Sequence, residues 1–349
     1  MASSSDLVGR AFGHGWRRVF TAPTLVFGLW LVTLLGALPA AWTMDRAITE
    51  HVGSSLVAAR IAAVPDEGWW GEFLARARGA ALTLKPEIIG AAAPVSNLSR
   101  FLDTPGVPRS LIATVALGLL AWLFLMGGVI DRYARGRRLG SRVFFGACGV
   151  FFFRFLRLGV IVGLGYWLLA GPYHSLLFTL AYPWLTRETT VERVAFVWRV
   201  VLYLFWLAPL LLLNLTADYA KVRAVVEDRH SMIGALVAGW RFVRRHPGHV
   251  VPLYLANTLV LAVALAVYML VAPGGRGGDW RLIAVLAMGQ AWIVSRIATK
   301  LAFVATATAL FQQHLAHAEY AAPPLPVWPD SPAAEAIENA AKYGTRRDV

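Results

Sequence analysis

Charged residues are scarce in this sequence of 349 residues: 15% are Asp, Glu, Lys or Arg, against 58% that are hydrophobic. Soluble domains carry about 25% charged residues, so this balance excludes an ordinary soluble globular protein. The mean hydropathy of +0.58 comes from long apolar runs that alternate with short charged segments. This alternation is typical of a protein that crosses a membrane several times.

Cysteine is nearly absent as well, and motifs for catalysis are missing. The single cysteine, Cys148, excludes an internal disulfide and a cysteine-based metal site. The apolar runs contain no Ser/His/Asp arrangement and no paired carboxylates of the kind that hydrolytic or acid–base chemistry needs. We therefore predict a protein that is not an enzyme and that holds no cofactor and no metal ion.

The net charge of +13 has the sign that nucleic-acid-binding proteins show, but the basic residues are placed differently. Most of them lie in short segments between apolar runs, where the positive-inside rule puts them in membrane proteins. The charge therefore indicates membrane topology, and we expect no nucleic-acid partner.

Six apolar runs are long enough for a membrane helix, which needs roughly 20 residues. The predicted fold class is all-α: a polytopic membrane helix bundle of about six transmembrane helices with interfacial amphipathic elbow helices. The predicted spans cover residues 23–42, 110–130, 158–178, 194–217, 250–271 and 290–314. Gly171 and Pro172 predict a kink or an early end in the third span. Residues 282–295 are expected on the outer surface, ahead of the sixth span.

The charges of the connecting segments orient these spans. Segment 131–158 holds seven Arg against one Asp, and segment 218–249 holds six Lys or Arg against three acids. Segment 44–110 balances seven basic residues with seven acids. The bias places the two basic segments in the cytoplasm and segment 44–110 outside. An even number of spans then places both termini in the cytoplasm.

The regions outside the spans complete the predicted organisation. Residues 1–320 form one integral membrane domain, and residues 44–109 form an extracytoplasmic helical insertion within it. Amphipathic patterns in the insertion predict helices that either cover the outer ends of the spans or form a vestibule or partner surface. Prolines after Ala321 predict a mobile cytoplasmic tail over residues 321–349.

A basic aromatic pattern recurs in the segments before the first, third and fifth spans, which we name elbows 1, 2 and 3. Elbow 2 aligns with elbow 3 without a gap at an offset of 87, and Gly15-Trp16-Arg17-Arg18-Val19 matches Gly239-Trp240-Arg241-Phe242-Val243. We interpret this as three two-helix units, each opening with an amphipathic helix. Rings at headgroup level and guanidiniums against phosphates would anchor the elbows to lipid. The candidate lipid-anchoring residues are Trp16, Arg17, Arg154, Arg157, Trp240, Arg241 and Arg244.

These anchors have two interpretations. They serve as topology signals and general lipid contacts, or they recognise a specific anionic lipid or phosphate ligand. Membrane lipids, with anionic headgroups foremost, are the predicted partners, and the sequence names no protein partner.

Several polar residues fall inside the predicted spans, where a bare charge costs roughly 2.5–3.5 kcal/mol. Arg296 and Lys300 are four residues apart, so they share one face of a helix. For Asn214 and Asp218 we expect a cation on a neighbouring helix as partner. These residues either snorkel to the interface or line a polar cavity. The full set is Asn214, Asp218, Asn257, Gln290, Arg296 and Lys300.

The stretch DYAKVRAVVEDRHSMIGALVAGWRFVRRHPG at residues 218–248, followed by an apolar span, resembles uncharacterised bacterial six-helix inner-membrane proteins. Segments 69–73 and 86–103 resemble the extracytoplasmic insertion of that group. More distantly, the chain is similar to the membrane domain fused to some glycerophosphodiester phosphodiesterases. The resemblance implies the cytoplasmic (inner) membrane of a bacterium. Because no phosphodiesterase domain is present, neither that activity nor any functional residue carries over.

Two functions follow from these observations. The first is a non-enzymatic membrane component that binds lipid or partner proteins through its elbows and outer helices. The alternative is a small-solute or lipid permease with a polar path among the spans. A continuous polar cavity reaching mid-bilayer would favour the permease, whereas a sealed apolar bundle would exclude it.

Overall fold

The computed structural model describes residues 4–53, 66–83, 92–103, 105, 111–136, 140–271 and 279–317. Within these ranges the chain forms helices and turns and no strand, which confirms the all-α prediction. Six helices are long and apolar enough to cross a membrane, so the chain is a multi-pass membrane protein. The six spans are Pro23–Val52, Ile112–Arg135, Ser141–Thr186, Glu192–Val226, Pro247–Val271 and Ile283–Leu315.

The chain divides into two compact units, Met1–Leu310 and Phe311–Val349. In the second unit the structure describes residues 311–317, which are the last turns of the helix Asp279–His317. The predicted tail at residues 321–349 lies outside the described residues.

All six spans are longer than the apolar runs that predict them, and three show how. The first helix continues to Val52, nine residues into the predicted insertion that begins at residue 44. The last helix begins at Asp279, so residues 282–295 continue into the sixth span as one helix. The third helix runs from Ser141 to Thr186, about 69 Å at 1.5 Å per residue, which is more than twice the hydrocarbon thickness.

The third helix continues through Pro172, so the predicted early end is absent. The helix widens to π-type hydrogen bonding over Leu169–Tyr173 and again over Leu176–Ala181. A π-type turn accommodates a residue that has no N–H to donate, because the backbone pairing shifts by one position. The Trp206 Nε1–H of the fourth span adds a bond to the Leu169 carbonyl oxygen at 2.8 Å.

Elbows 1 and 3 are separate helices, at Ser4–Phe20 and Met232–Arg245, whereas elbow 2 is the first part of the third helix. The difference has a local cause. Pro23 and Pro247 follow elbows 1 and 3, and a proline disfavours helical geometry in the residue before it. The position that corresponds in elbow 2 is Val160, so the helix continues there.

Each elbow packs closely against the second span of the unit before it. In elbow 3, a Cβ added at Gly239 would lie 2.9 Å from the Ala220 nitrogen of the fourth span. In elbow 1, a Cβ at Gly15 would lie 2.7 Å from the Thr306 Cα of the sixth span. For elbow 2 the small residue is on the span, where a Cβ at Gly127 would lie 2.8 Å from the Phe151 Cβ. Elbow 1 thus joins the beginning of the chain to the sixth span.

The sixth span is the central helix of the bundle. In its most apolar stretch 61% of the residues are buried inside the protein, against 11–22% in the other five spans. Small side chains allow its neighbours to approach: Ala302, Ala305 and Thr308 are fully buried. Membrane helices pack through such small residues because hydrocarbon offers no hydrophobic driving force between helices.

The last helix of the insertion, Ala92–Asp103, docks on the third and fourth spans. The Asp103 carboxylate accepts hydrogen bonds from Arg199 at 3.0 Å and from the Tyr203 hydroxyl at 3.2 Å. His174 Nε2 lies 2.8 Å from the Leu102 carbonyl oxygen. Arg199 and Tyr203 of the fourth span and His174 of the third therefore bind this insertion helix.

Replacing Gly15 with Ala should lower the thermal stability of the protein, because the added methyl group would overlap the backbone at Thr306. Overpacking of this kind costs about 1–3 kcal/mol. Gly13→Ala on the same helix is the control, since a Cβ there meets nothing within 4 Å. Thermal unfolding in detergent should show a drop for Gly15→Ala and no drop for Gly13→Ala. Equal behaviour of the two variants would contradict the close packing of elbow 1 on the sixth span.

Candidate functional site

A basic cavity of about 500 Å³ lies between elbow 1 and the end of the second span. Its walls come from elbow 1, from the turn before the first span and from the last residues of Ile112–Arg135. The lining residues are His14, Arg17, Arg18, Thr21, Ala22, Arg132, Tyr133 and Gly136.

The lining is strongly cationic. Arg17, Arg18 and Arg132 contribute three permanent charges, and the eight lining residues include no carboxylate. Concave walls with charges of one sign concentrate the field and attract ions of the opposite sign. Arginine presents a planar fork of donors that matches the oxygen atoms of a phosphate or carboxylate. The guanidinium groups of the cavity are therefore suited to bind an anion.

Arg18 departs from the repeat at a position that the other elbows fill with an aromatic ring. Alignment of the three elbows places Arg18 opposite Phe155 and Phe242. Both phenylalanines are buried, with 0% and 7% of their surface exposed. Arg18 is partly buried at the same place, and burial lowers the pKa of its guanidinium while the nearby Tyr133 acts against that shift. Elbow 1 therefore carries a charge at the position where elbows 2 and 3 carry an apolar ring.

Tyr133 adds an unused donor to the cavity wall. The side chain is 2% exposed, and its hydroxyl has no hydrogen-bond partner within the described part of the chain. Buried hydroxyls in folded proteins are nearly always bonded to protein, water or ligand. This hydroxyl is therefore available to a water molecule or to a bound anion.

The predicted lipid-anchoring residues fall into two groups. Arg17 lines the cavity, while Arg157, Arg241 and Arg244 are exposed on the elbows. Trp240 is 38% exposed, and Trp16 is partly buried between two rings of its own helix. These positions are accessible to lipid, and their binding of it stays a prediction.

Arg154 is the exception, and the prediction for it is wrong. Its Nη1 lies 2.6 Å from the Asp228 carboxylate and 3.5 Å from the Arg229 carbonyl oxygen, in the turn before elbow 3. Only 11% of the side chain is exposed. Asp228 itself has a φ of 48°, an uncommon backbone conformation for a residue other than glycine. Arg154 thus joins two units and does not present its charge to lipid.

The polar residues of the fourth span find partners different from those predicted. Asp218 pairs with Lys221 of its own helix at 2.6 Å, where a cation on a neighbouring helix was expected. Asn214 accepts a short hydrogen bond from the Tyr166 hydroxyl of the third span. Spacing of three residues brings Lys221 to the same helix face as Asp218, which is why the local pair forms.

Asn257 and Gln290 make most of their side-chain hydrogen bonds inside the bundle. Asn257 Nδ2 donates to Thr306 Oγ1 at 2.9 Å, and Gln290 Oε1 accepts from Trp30 Nε1 at 2.9 Å. Asn257 Oδ1 faces a cavity of about 10 Å³ and has no partner among the described residues. That volume holds about one water molecule. It does not form a continuous polar path.

The sequence pattern predicted Arg17 as a site residue. It did not predict Arg18, Arg132 or Tyr133. Arg132 and Tyr133 belong to the end of the second span, and only the packing of elbow 1 brings them to it. Arg18 did carry a signal, because its alignment with Phe155 and Phe242 replaces an apolar residue with a charge.

No family model matches this chain, and no curated protein and no solved structure is significantly similar to it. The basic cavity and the charges within the spans are therefore the features that bear on its function.

Replacing Arg154 with Leu should destabilise the protein, because Asp228 and the Arg229 carbonyl lose their partner. Hydrogen bonds to charged groups contribute about 1.5–3 kcal/mol, and the exposure of Asp228 brings the expected loss toward the lower value. Arg241→Leu is the matched control, because Arg241 has the equivalent place in elbow 3 and is exposed. Thermal unfolding should separate the two variants. A larger loss for Arg241→Leu would show that the elbows depend on lipid contact more than on this ion pair.

Proposed function

We propose that this multi-pass membrane protein is a non-enzymatic membrane component that binds an anionic phospholipid headgroup in the basic cavity beside elbow 1. The observation that carries the proposal is the basic cavity, whose eight lining residues include Arg17, Arg18 and Arg132 and no carboxylate. These three cations would attract a phosphate to the cavity.

The donors of the cavity fit a phosphodiester group. Arg17, Arg18 and Arg132 could each direct two N–H groups to phosphate oxygens, and the Tyr133 hydroxyl could donate one more bond. Charge-assisted bonds of this kind are about twice as strong as neutral ones. The volume of about 500 Å³ exceeds that of a phosphate ion, so it leaves room for a glycerol-type headgroup.

A lipid is favoured over a soluble phosphate by the surroundings of the cavity. Elbow 1 is amphipathic, and the Phe20 side chain at its end is 73% exposed. Amphipathic helices with exposed rings lie at the level of lipid headgroups. Basic pockets at the ends of membrane helices bind anionic headgroups on the cytoplasmic side in other systems.

The location of the protein is part of the same proposal. The excess of Lys and Arg in segments 131–158 and 218–249 supports a cytoplasmic elbow side with both termini inside. The resemblance to bacterial six-helix proteins supports the bacterial cytoplasmic membrane, and the resemblance itself remains a proposal. The inner leaflet of such a membrane would present anionic lipid at the level of the cavity.

A solute permease receives less support. The cavity beside Asn257 has room for about one water molecule and is enclosed by Leu215, Leu253 and Phe303 among others. A permeating solute would need a larger path. The lipid-binding component is therefore the preferred function.

Arg18→Phe tests the proposal with little risk to the fold, because the other two elbows carry phenylalanine at this position. We expect affinity for phosphatidylglycerol to fall by about tenfold or more, since a charge-assisted contact is worth roughly 1.5–3 kcal/mol. Native mass spectrometry of the purified protein with phosphatidylglycerol, phosphatidylcholine or inorganic phosphate measures the binding.

Arg244→Phe on elbow 3 is the control, because it removes an exposed arginine that does not line the cavity. Preference for phosphatidylglycerol in the wild type, lost in Arg18→Phe alone, is the expected result. Equal binding of phosphatidylcholine would contradict the proposal, as would an equal loss in the two variants. Strong retention of inorganic phosphate without lipid would identify a soluble anion as the ligand.

A further inference from the structure

The basic cavity beside elbow 1 lies where two helices end. Elbow 1 ends at Phe20, and the next residue, Thr21, lines the cavity. The second span ends at Arg135, and the next residue, Gly136, lines it as well. The C-terminal end of a helix carries about half a negative charge, because its last carbonyl groups have no partner within the helix. Together the two helix ends therefore contribute about one negative charge to the cavity.

The arginines of the cavity outweigh this charge. Arg17, Arg18 and Arg132 contribute three permanent positive charges. The acid next to Arg132 in sequence, Asp131, pairs with Arg135 at 2.8 Å, so this pair adds no net charge. One arginine would balance the two helix ends. About two positive charges therefore remain for a ligand.

Capping of the two helices does not account for the arginine side chains. The Thr21 hydroxyl donates to the Arg17 carbonyl oxygen at 2.8 Å and to the Arg18 carbonyl oxygen at 3.2 Å. The Gly136 N–H donates to the Arg132 carbonyl oxygen at 3.1 Å. A hydroxyl and a backbone amide thus bind these terminal carbonyl groups, as helix ends require.

The cationic groups lie on two walls of the cavity. Arg17 and Arg18 belong to elbow 1, whereas Arg132 belongs to the second span. The second wall also has the Tyr133 hydroxyl, which is buried and has no hydrogen-bond partner among the described residues. Each wall can therefore donate to a phosphate of its own. The cavity volume of about 500 Å³ is within the usual range for small-molecule sites, so one ligand can reach both walls.

We infer that the cavity selects a phospholipid headgroup with two phosphates joined by glycerol, as in cardiolipin. Arg17 and Arg18 would bind one phosphate. Arg132 and the Tyr133 hydroxyl would bind the other. Charge complementarity selects this headgroup, because its two phosphodiesters carry two negative charges and that of phosphatidylglycerol carries one. Basic pockets of membrane proteins bind cardiolipin headgroups in other systems. The inference rests on the proposed function for the lipid class alone.

A headgroup of this kind would join the two walls. Because it binds elbow 1 and the end of the second span at once, it would stabilise the folded protein by linkage. A headgroup with one phosphate would bind either wall, so its effect on the docking of elbow 1 would be smaller. At equal concentrations, cardiolipin should therefore raise the temperature of unfolding in detergent more than phosphatidylglycerol does.

Native mass spectrometry of the full chain with cardiolipin, phosphatidylglycerol or phosphatidic acid tests the inference directly. The wild type should bind cardiolipin about tenfold or more tightly than phosphatidylglycerol, since a second set of charge-assisted bonds is made. Two equivalent phosphates would give about a twofold difference by statistics alone. Phosphatidic acid carries up to two charges on a single phosphate, so it separates total charge from the number of phosphates. We expect it to bind more weakly than cardiolipin.

Two variants of the second wall identify the residues. Arg132→Gln should reduce the preference for cardiolipin over phosphatidylglycerol to about twofold, while phosphatidylglycerol still binds through elbow 1. Tyr133→Phe removes only a hydroxyl that has no described partner, so it should fold normally and lower the affinity for cardiolipin more than that for phosphatidylglycerol. Arg10→Gln is the control, because Arg10 is exposed on elbow 1 and does not line the cavity. This variant should keep the wild-type preference.

Equal affinity of the wild type for cardiolipin and phosphatidylglycerol would overturn the inference, as would phosphatidic acid binding as tightly as cardiolipin. So would an unchanged preference in Tyr133→Phe together with Arg132→Gln, or in Tyr133→Phe alone if Arg132→Gln does not fold. None of these results removes the preference for phosphatidylglycerol over phosphatidylcholine that Arg18→Phe tests. Failure of the inference and failure of the proposed function are therefore distinguishable.

Discussion

The close approach of each elbow to the second span of the preceding unit holds this bundle together. Helices in a membrane gain little from hydrophobic burial against one another, so their association depends on contacts that large side chains would prevent. Gly15, Gly127 and Gly239 supply the room at the three junctions. The first junction joins the beginning of the chain to the sixth span, which is the most buried of the six. This contact joins the first two-helix unit to the third.

The packing of elbow 1 also produces the candidate binding site. The basic cavity exists because elbow 1 lies over the end of the second span, where Arg132 and Tyr133 complete its wall. Elbows 2 and 3 have the same framework with a phenylalanine in place of Arg18, and those rings are buried. A repeated architecture therefore gives an internal comparison: elbow 1 carries a charge at the position where the other two elbows bury a ring. Arg154 has a different role, because its ion pair with Asp228 joins the third helix to the turn before elbow 3.

The polar residues within the spans fall into two groups. Some have hydrogen-bond or ion-pair partners inside the bundle, and others do not. Asn214 accepts a hydrogen bond from Tyr166 of the third span, and Asp218 pairs with Lys221 of its own helix. Asn257 donates a hydrogen bond to Thr306 of the sixth span. These residues stabilise packing in a medium where an unpaired polar group is costly. Arg296 and Lys300 differ because no described carboxylate pairs with either side chain, and each lies near a tryptophan ring instead.

The sequence by itself determined the six spans, the all-helical class and the recurrence of the elbows, because hydropathy and charge along the chain are governed by the bilayer whatever the tertiary packing. It also located Arg17, Arg296 and Lys300. It could not determine where the spans end, since helical backbone continues beyond the hydrocarbon layer wherever no proline stops it, as at Val160. Only the tertiary structure decided that Arg154 is bound by Asp228 and that Tyr133 faces the cavity. Those outcomes depend on contacts between residues far apart in the chain, which local pattern does not encode.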